Sequence, residues 1–137
     1  MVNAKDSVTV SELNIVDGQG RRRMTLSATL GTPSIEMFSV DGRATFAVSM
    51  DELGRTAVRL GNSDDTGPVA TIEVVETGTH VKFTRPAGGA SYLFLNNAGG
   101  SGVVLVDAKG VRRLVALNPA DGNVRIEKFD SEGKALP

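Results

Sequence analysis

A glycine falls about every 11 residues along nearly the whole chain, at Gly20, Gly31, Gly42, Gly54, Gly67, Gly78, Gly88, Gly99, Gly110, Gly122 and Gly133. Glycine is the residue a chain uses where it must turn sharply. The segments between these points are too short for ordinary helices and suit short strands. Their side chains agree. MTLSATL sets Met24, Leu26, Ala28 and Leu30 against Thr25, Ser27 and Thr29. TFAVSM sets Phe46, Val48 and Met50 against Ala47 and Ser49, and TIEVVE sets Ile72 and Val74 against Thr71 and Glu73. Alternation with a period of two describes a strand with one face buried. Apolar positions never recur at helical spacing over ten or more residues, so the sequence predicts an all-β chain of about a dozen short antiparallel strands.

The glycines also divide the chain into repeats. Units open at Leu13, Ile35, Val58, Val81, Val103 and Val124, each with an apolar–polar–apolar triplet or a close variant (LNI, IEM, VRL, VKF, VVL, VRI). Six hairpins of roughly 22 residues follow, occupying 13–137, with 1–12 as an N-terminal extension or first strand. The first and fifth units nearly share a phrase: LNIVDGQGRRR and VVLVDAKGVRR match at Val16, Asp17, Gly20, Arg22 and Arg23 against Val106, Asp107, Gly110, Arg112 and Arg113. Duplication points to a structural corner rather than a catalytic site. Asp-x-x-Gly after an apolar strand suits a type I turn whose carboxylate accepts backbone N–H groups, with Gly in the left-handed position. Asp17, Gly20, Asp41, Gly42, Asp107 and Gly110 are therefore expected to build turns. Arg22 and Arg112, on the return strands, are expected to face Asp17 and Asp107.

These phrases resemble tandem repeats of the form apolar-x-Leu-x-Asp-x-x-Gly-x-x-Arg-x-x-Leu found in many bacterial proteins. LNIVDGQGRRRMTL and VVLVDAKGVRRLVAL follow the pattern well, and IEMFSVDGRATFAV follows it loosely. VRLGNSDDTGPVATI and VKFTRPAGGASYLFL keep only the spacing. The resemblance implies a repeat-built β module and carries with it no activity, cofactor or catalytic residue.

One face of each hairpin is apolar, so it must meet something. Three arrangements satisfy it: a solenoid-like or sandwich array, a prism in which several chains combine their sheets, or closure as a β-trefoil. Segments 13–57 and 58–102 have equal length, which favours the trefoil, and residues 7–11 (SVTVS) would then complete a short third unit. Scarce aromatics (five Phe, one Tyr, no Trp) deprive it of the large anchors a closed core uses. A thin core gains from surface buried between chains, so an oligomeric array is preferred.

Composition narrows the function. With 15 basic and 16 acidic residues, no overall field recommends nucleic acid or an anionic membrane as a partner. The chain has no cysteine, which removes disulfides and thiolate chemistry. No segment has the apolar length of a membrane-spanning helix or the pattern of a signal peptide. A cytoplasmic location is the default expectation, with export or incorporation into a particle left open.

Candidate chemistry is sparse. His80 is the only histidine and has no cysteine or second histidine to complete a zinc or triad site; a solvent-facing histidine ahead of a strand is expected. Asn62, Asp64 and Asp65 form the densest oxygen cluster and are the only metal candidates, but their spacing is not that of an EF-hand loop, and a solvated turn is expected instead. Arg21, Arg22 and Arg23 would alternate between faces of a strand rather than form one patch. The glycine pairs around Tyr92 lack the residues of a phosphate loop. They bound a hairpin in which Tyr92 and Asn96 are candidates for sugar contact.

These observations predict no catalytic residue and no cofactor. The leading expectation is a non-catalytic assembly module that forms a homo-oligomer or part of a larger particle, such as a surface layer, fibre or phage-like component. The alternative is a lectin-like module binding a small molecule or glycan through strand-end loops.

Overall fold

A computed structural model describes residues 8–29, 31–62, 64 and 66–137. All regular structure among them is β-strand: β1 (Glu12–Val16), β2 (Arg22–Ser27), β3 (Ser34–Phe38), β4 (Ala44–Met50), β5 (Thr56–Leu60), β6 (Val69–Val75), β7 (Gly78–Thr84), β8 (Ala90–Asn96), β9 (Ser101–Val106), β10 (Arg112–Asn118), β11 (Arg125–Phe129) and β12 (Ala135–Leu136). Leu13, Ile35, Val58, Val81 and Val103 lie inside β1, β3, β5, β7 and β9, and Val124 immediately precedes β11, so the six sequence units are the six hairpins. Leu30, expected to continue the apolar side of MTLSATL, lies outside the described residues.

The strands form one antiparallel sheet in sequence order from β1 to β12. Each described strand packs only on its sequence neighbours, and the sheet does not close on itself. This overturns the trefoil alternative. Described residues 8–11 add no strand, and consecutive pairing already satisfies every hairpin, so equal segment lengths reflect repetition without threefold closure.

Pairing aligns the alternation of each strand with the next. One row runs Leu13, Leu26, Ile35, Val48, Val58, Ile72, Val81, Leu93, Val103, Ala116 and Ile126, crossing β1 to β11 through directly opposed residues. A second row on the same face runs Ile15, Met24, Met37, Phe46, Leu60, Ala70, Phe83, Ser91, Leu105, Leu114 and Lys128. The opposite face begins as Asn14, Thr25, Glu36, Ala47, Arg59, Thr71 and Lys82 along one row. A one-residue slip at any hairpin would exchange the two faces, so apolar matching and turn length reinforce one register.

The best-buried side chains lie opposite the apolar rows. Phe38, Val104 and Val115 are the buried apolar side chains among the described residues. Phe38 is covered by the Arg22 guanidinium, 4.4 Å from the ring centre. Thr25, 5% exposed, donates from Oγ1 to Asn14 Oδ1 at 2.7 Å.

The turns explain the repeated phrase. In 17–21 the Asp17 N–H donates to Arg21 O at 2.9 Å, and Gly20 N–H donates to Asp17 O at 2.9 Å. Gly20 has φ 75°, the left-handed conformation that returns the chain to the ladder. The same two bonds recur at 51–55, 107–111 and 130–134. The Asp17 carboxylate accepts N–H groups from Gln19 at 2.9 Å and Arg21 at 3.1 Å, and Asp107 accepts those of Lys109 at 2.8 Å and Val111 at 3.0 Å. The turn at 39–43 has the same length and the same two bonds, with Ser39 in the first position, donating its N–H to Arg43 O, and Gly42 in the glycine position. Asp41 sits at the tip, accepting from Ser39 Oγ.

The arginine assignments differ from the sequence expectation. Arg21 Nε lies 2.8 Å and Arg23 3.7 Å from the Asp17 carboxylate, and Arg113 lies 3.5 Å from Asp107. Arg22 lies over Phe38, and Arg112 pairs with Val106 in the ladder. The cause is a β-bulge after each turn: Val16 pairs with Arg22 but Ile15 with Met24, and Val106 pairs with Arg112 but Leu105 with Leu114. The extra residue is Arg23 or Arg113, and the bulge turns it back toward the aspartate.

Partial burial opposes ionisation of Asp17, but the amides of Gln19 and Arg21 and the Arg21 guanidinium outweigh it and hold its pKa at about 2. Asp51, Asp107 and Asp130 are also lowered, first by the amides of Arg55, Val111 and Lys134. A carboxylate whose folded pKa lies below its unfolded value stabilises the fold above the unfolded value, and this contribution disappears as pH falls through the folded one. Thermal unfolding between pH 5 and pH 2 is therefore expected to show stability falling below about pH 4. Asp17→Asn should make that fall shallower; an identical pH profile in the variant would refute the role given to the turn carboxylate.

Candidate functional site

The most extensive feature the fold presents is the apolar face itself. Along its two rows Leu13, Ile15, Leu60, Ile72, Phe83 and Leu93 are each 45–53% exposed. Between them the ladder places only Ser91 and Lys128 as polar interruptions. The face therefore carries almost no charge to repel an apolar partner. The two rows span about 50 Å across eleven strands and are about 15 Å wide. Monomeric proteins rarely expose contiguous apolar patches beyond a few hundred Å².

The total surface makes the same point. The chain exposes 9693 Å², whereas a compact monomer of 14.3 kDa is expected to expose about 6,800 Å². A single-layer sheet has no second layer to cover its apolar side, which is the usual means by which a domain buries a sheet face.

The chemical candidates separate from one another. His80 lies within β7 rather than ahead of it, because a tight turn at Glu76 and Thr77 lets Gly78 enter the ladder. It is half-buried, with its ring tilted against Phe94 at 6.5 Å, replacing the expected solvent-facing position. Asn62 Oδ1 accepts the Asp64 N–H at 3.2 Å, and the Asp64 carboxylate accepts the N–H and hydroxyl of Thr66 at 2.9 and 2.8 Å. These oxygens serve the local turn, and Asp65 lies outside the described residues. Among the described residues, no group of three His, Cys, Asp or Glu side chains is arranged to hold a metal ion. No helix among them is long and apolar enough to cross a membrane.

Tyr92 and Asn96 stand on the same face of β8, opposite the apolar rows. Asn96 Oδ1 accepts the Gly100 N–H at 2.8 Å, taking the place that Asp17 holds in its own turn. This face contains a feature that alternation alone missed. Strands β8 to β10 are apolar on both sides: Tyr92, Phe94, Val104, Val115 and Leu117 oppose Leu93, Leu95, Val103, Leu105 and Leu114. The signal lay in the unbroken runs YLFL and VVLV, which lack the polar alternate positions of MTLSATL. Strands of that kind are usually covered on both faces.

Comparison with protein-family models finds no match to this chain, and comparison with curated proteins finds none.

Proposed function

We propose that this chain is a non-catalytic assembly module whose apolar sheet face is covered by the same face of other copies, forming a building block of a particle such as a surface layer, fibre or phage-like component. The observation that carries this reading is the pair of apolar rows shared by β1 to β11. A copy of the chain presents a surface of matching length, near-neutral charge and the same 4.7–4.9 Å strand spacing. The exposed rows amount to roughly 750 Å² of plan area per copy, close to the roughly 800 Å² per partner of a stable interface. A bilayer-spanning barrel fits less well, because strands β1 to β11, of five to seven residues, fall short of the roughly nine to eleven a bilayer-spanning strand needs. The formal net charge of −1 leaves little repulsion between copies.

Multi-angle light scattering on the full chain tests this reading. A stable oligomer at tens of micromolar is expected, its mass distinguishing a two-layer sandwich from a three-sided prism. A strict monomer at that concentration would overturn it.

A further inference from the structure

The covering of the apolar rows leaves the opposite face outward, and there the two-sided strands β8 to β10 form an open trough of about 410 Å³. Val104 and Val115, 5% and 6% exposed, are among its lining residues, and Tyr92 and Phe94 line it with half-exposed rings. Gly102 lets Phe94 and Leu117 close down on β9: a Cβ there would meet the Ala116 carbonyl oxygen at 2.7 Å, Leu117 Cδ2 at 2.8 Å and Phe94 Cε1 at 2.9 Å. Asn96, whose Oδ1 is engaged in the turn, lines one end. Arg112 lines the other.

The two copies of the repeated phrase differ in one respect that identifies a ligand. In the first, the second arginine, Arg22, covers the ring of Phe38. In the second, the guanidinium of Arg112 has no ion-pair, hydrogen-bond or ring partner among the described residues, and no carboxylate lines the trough. An uncompensated guanidinium beside two aromatic rings is a receptor for a carboxylate attached to a flat, partly apolar body. Because the trough is open, it covers one side of such a body and leaves the other in water. A sugar ring has that character: an apolar C–H face for an aromatic platform and hydroxyls around its edge.

We propose that this trough binds an acidic oligosaccharide, with a sugar ring on Tyr92 and Phe94 and a uronate carboxylate on Arg112. The site is independent of self-association, because it lies on the opposite face.

The single tyrosine and the lack of tryptophan make intrinsic emission a direct reporter of this trough. Titration of the full chain with a galacturonic acid hexamer should give a saturable change in tyrosine emission, and a neutral galactose hexamer should bind at least tenfold more weakly. Arg112→Gln, at an exposed position, should weaken the acidic hexamer tenfold or more, and Phe94→Leu should weaken both sugars while circular dichroism confirms the fold. No saturable response to the acidic hexamer at millimolar concentration would overturn the proposal. So would equal binding of the neutral hexamer, an unchanged affinity in Arg112→Gln, or an equal response to a glutamate hexapeptide, which would assign the trough to carboxylates in general. Light scattering on the same samples reads the oligomeric state separately.

Discussion

Ile72→Lys is expected to convert the assembled protein to monomers. Ile72 stands in the middle of the first apolar row, between Val58 and Val81, and is 47% exposed in the single chain. A lysine there reaches solvent in the monomer and disturbs the sheet little, but in a covered face its ammonium is buried without a partner. Leaving a charge buried and unpaired costs about 3–5 kcal/mol, enough to lower association by a factor of a hundred or more per copy. The same substitution at Ser49, an exposed residue on the other face of β4, should change neither mass nor melting temperature appreciably, since surface substitutions usually fall within about 0.5 kcal/mol. Light scattering and thermal unfolding of both variants decide the matter. An Ile72→Lys protein that keeps its oligomeric mass would show that the apolar rows do not form the interface.

Gly88→Ala should be among the most damaging single-methyl changes in the described chain. Gly88 has φ 95°, and a Cβ there would lie 2.0 Å from the carbonyl oxygen of Ala108. That oxygen belongs to the backbone of the turn at 107–111, which stacks beside the turn at 85–89, so no side chain can swing away. Gly20 supplies the control: φ 75° with nothing within 4 Å of its Cβ. Gly20→Ala bears only the left-handed backbone penalty of about 1–2 kcal/mol. Gly88→Ala adds displacement of a neighbouring hairpin and should lose about 3–5 kcal/mol, measured by urea unfolding. Equal losses in the two variants would mean that the neighbouring turn yields freely.

These two turns also show what the sequence makes legible. The left-handed angles at Gly20 and Gly110 follow from Asp-x-x-Gly after an apolar strand, a purely local signal; the hairpins whose turns open on Ser39 and Arg85 lack that aspartate and were placed by the glycine spacing. The close approach of Gly88 to Ala108 belongs to two different hairpins and leaves no trace in either. Alternation in MTLSATL and TFAVSM set the strands and their apolar side, but whether the sheet closes depends on contacts between non-neighbouring strands, which equal segment lengths do not encode. The arginine partners were misplaced for a narrower reason. A bulge inserts one residue, and one residue in a strand is the difference between facing Asp17 and covering Phe38. At the trough, Tyr92 and Asn96 were visible as candidates, but Arg112 was not, because only the loss of a stacking partner distinguishes it from Arg22.

Pairing that runs strictly from each strand to the next has a consequence for how such a protein can change over time. A closed barrel or trefoil admits only certain strand numbers, and losing one hairpin breaks the ring. Here an internal hairpin can be duplicated or deleted whole, and the strands on either side still meet antiparallel with both faces preserved. Stability then varies roughly as a sum over units and their junctions. Length becomes an adjustable ruler, graduated in steps of one hairpin, and a gene can reset the span of the sheet while keeping the pairing rule of every strand.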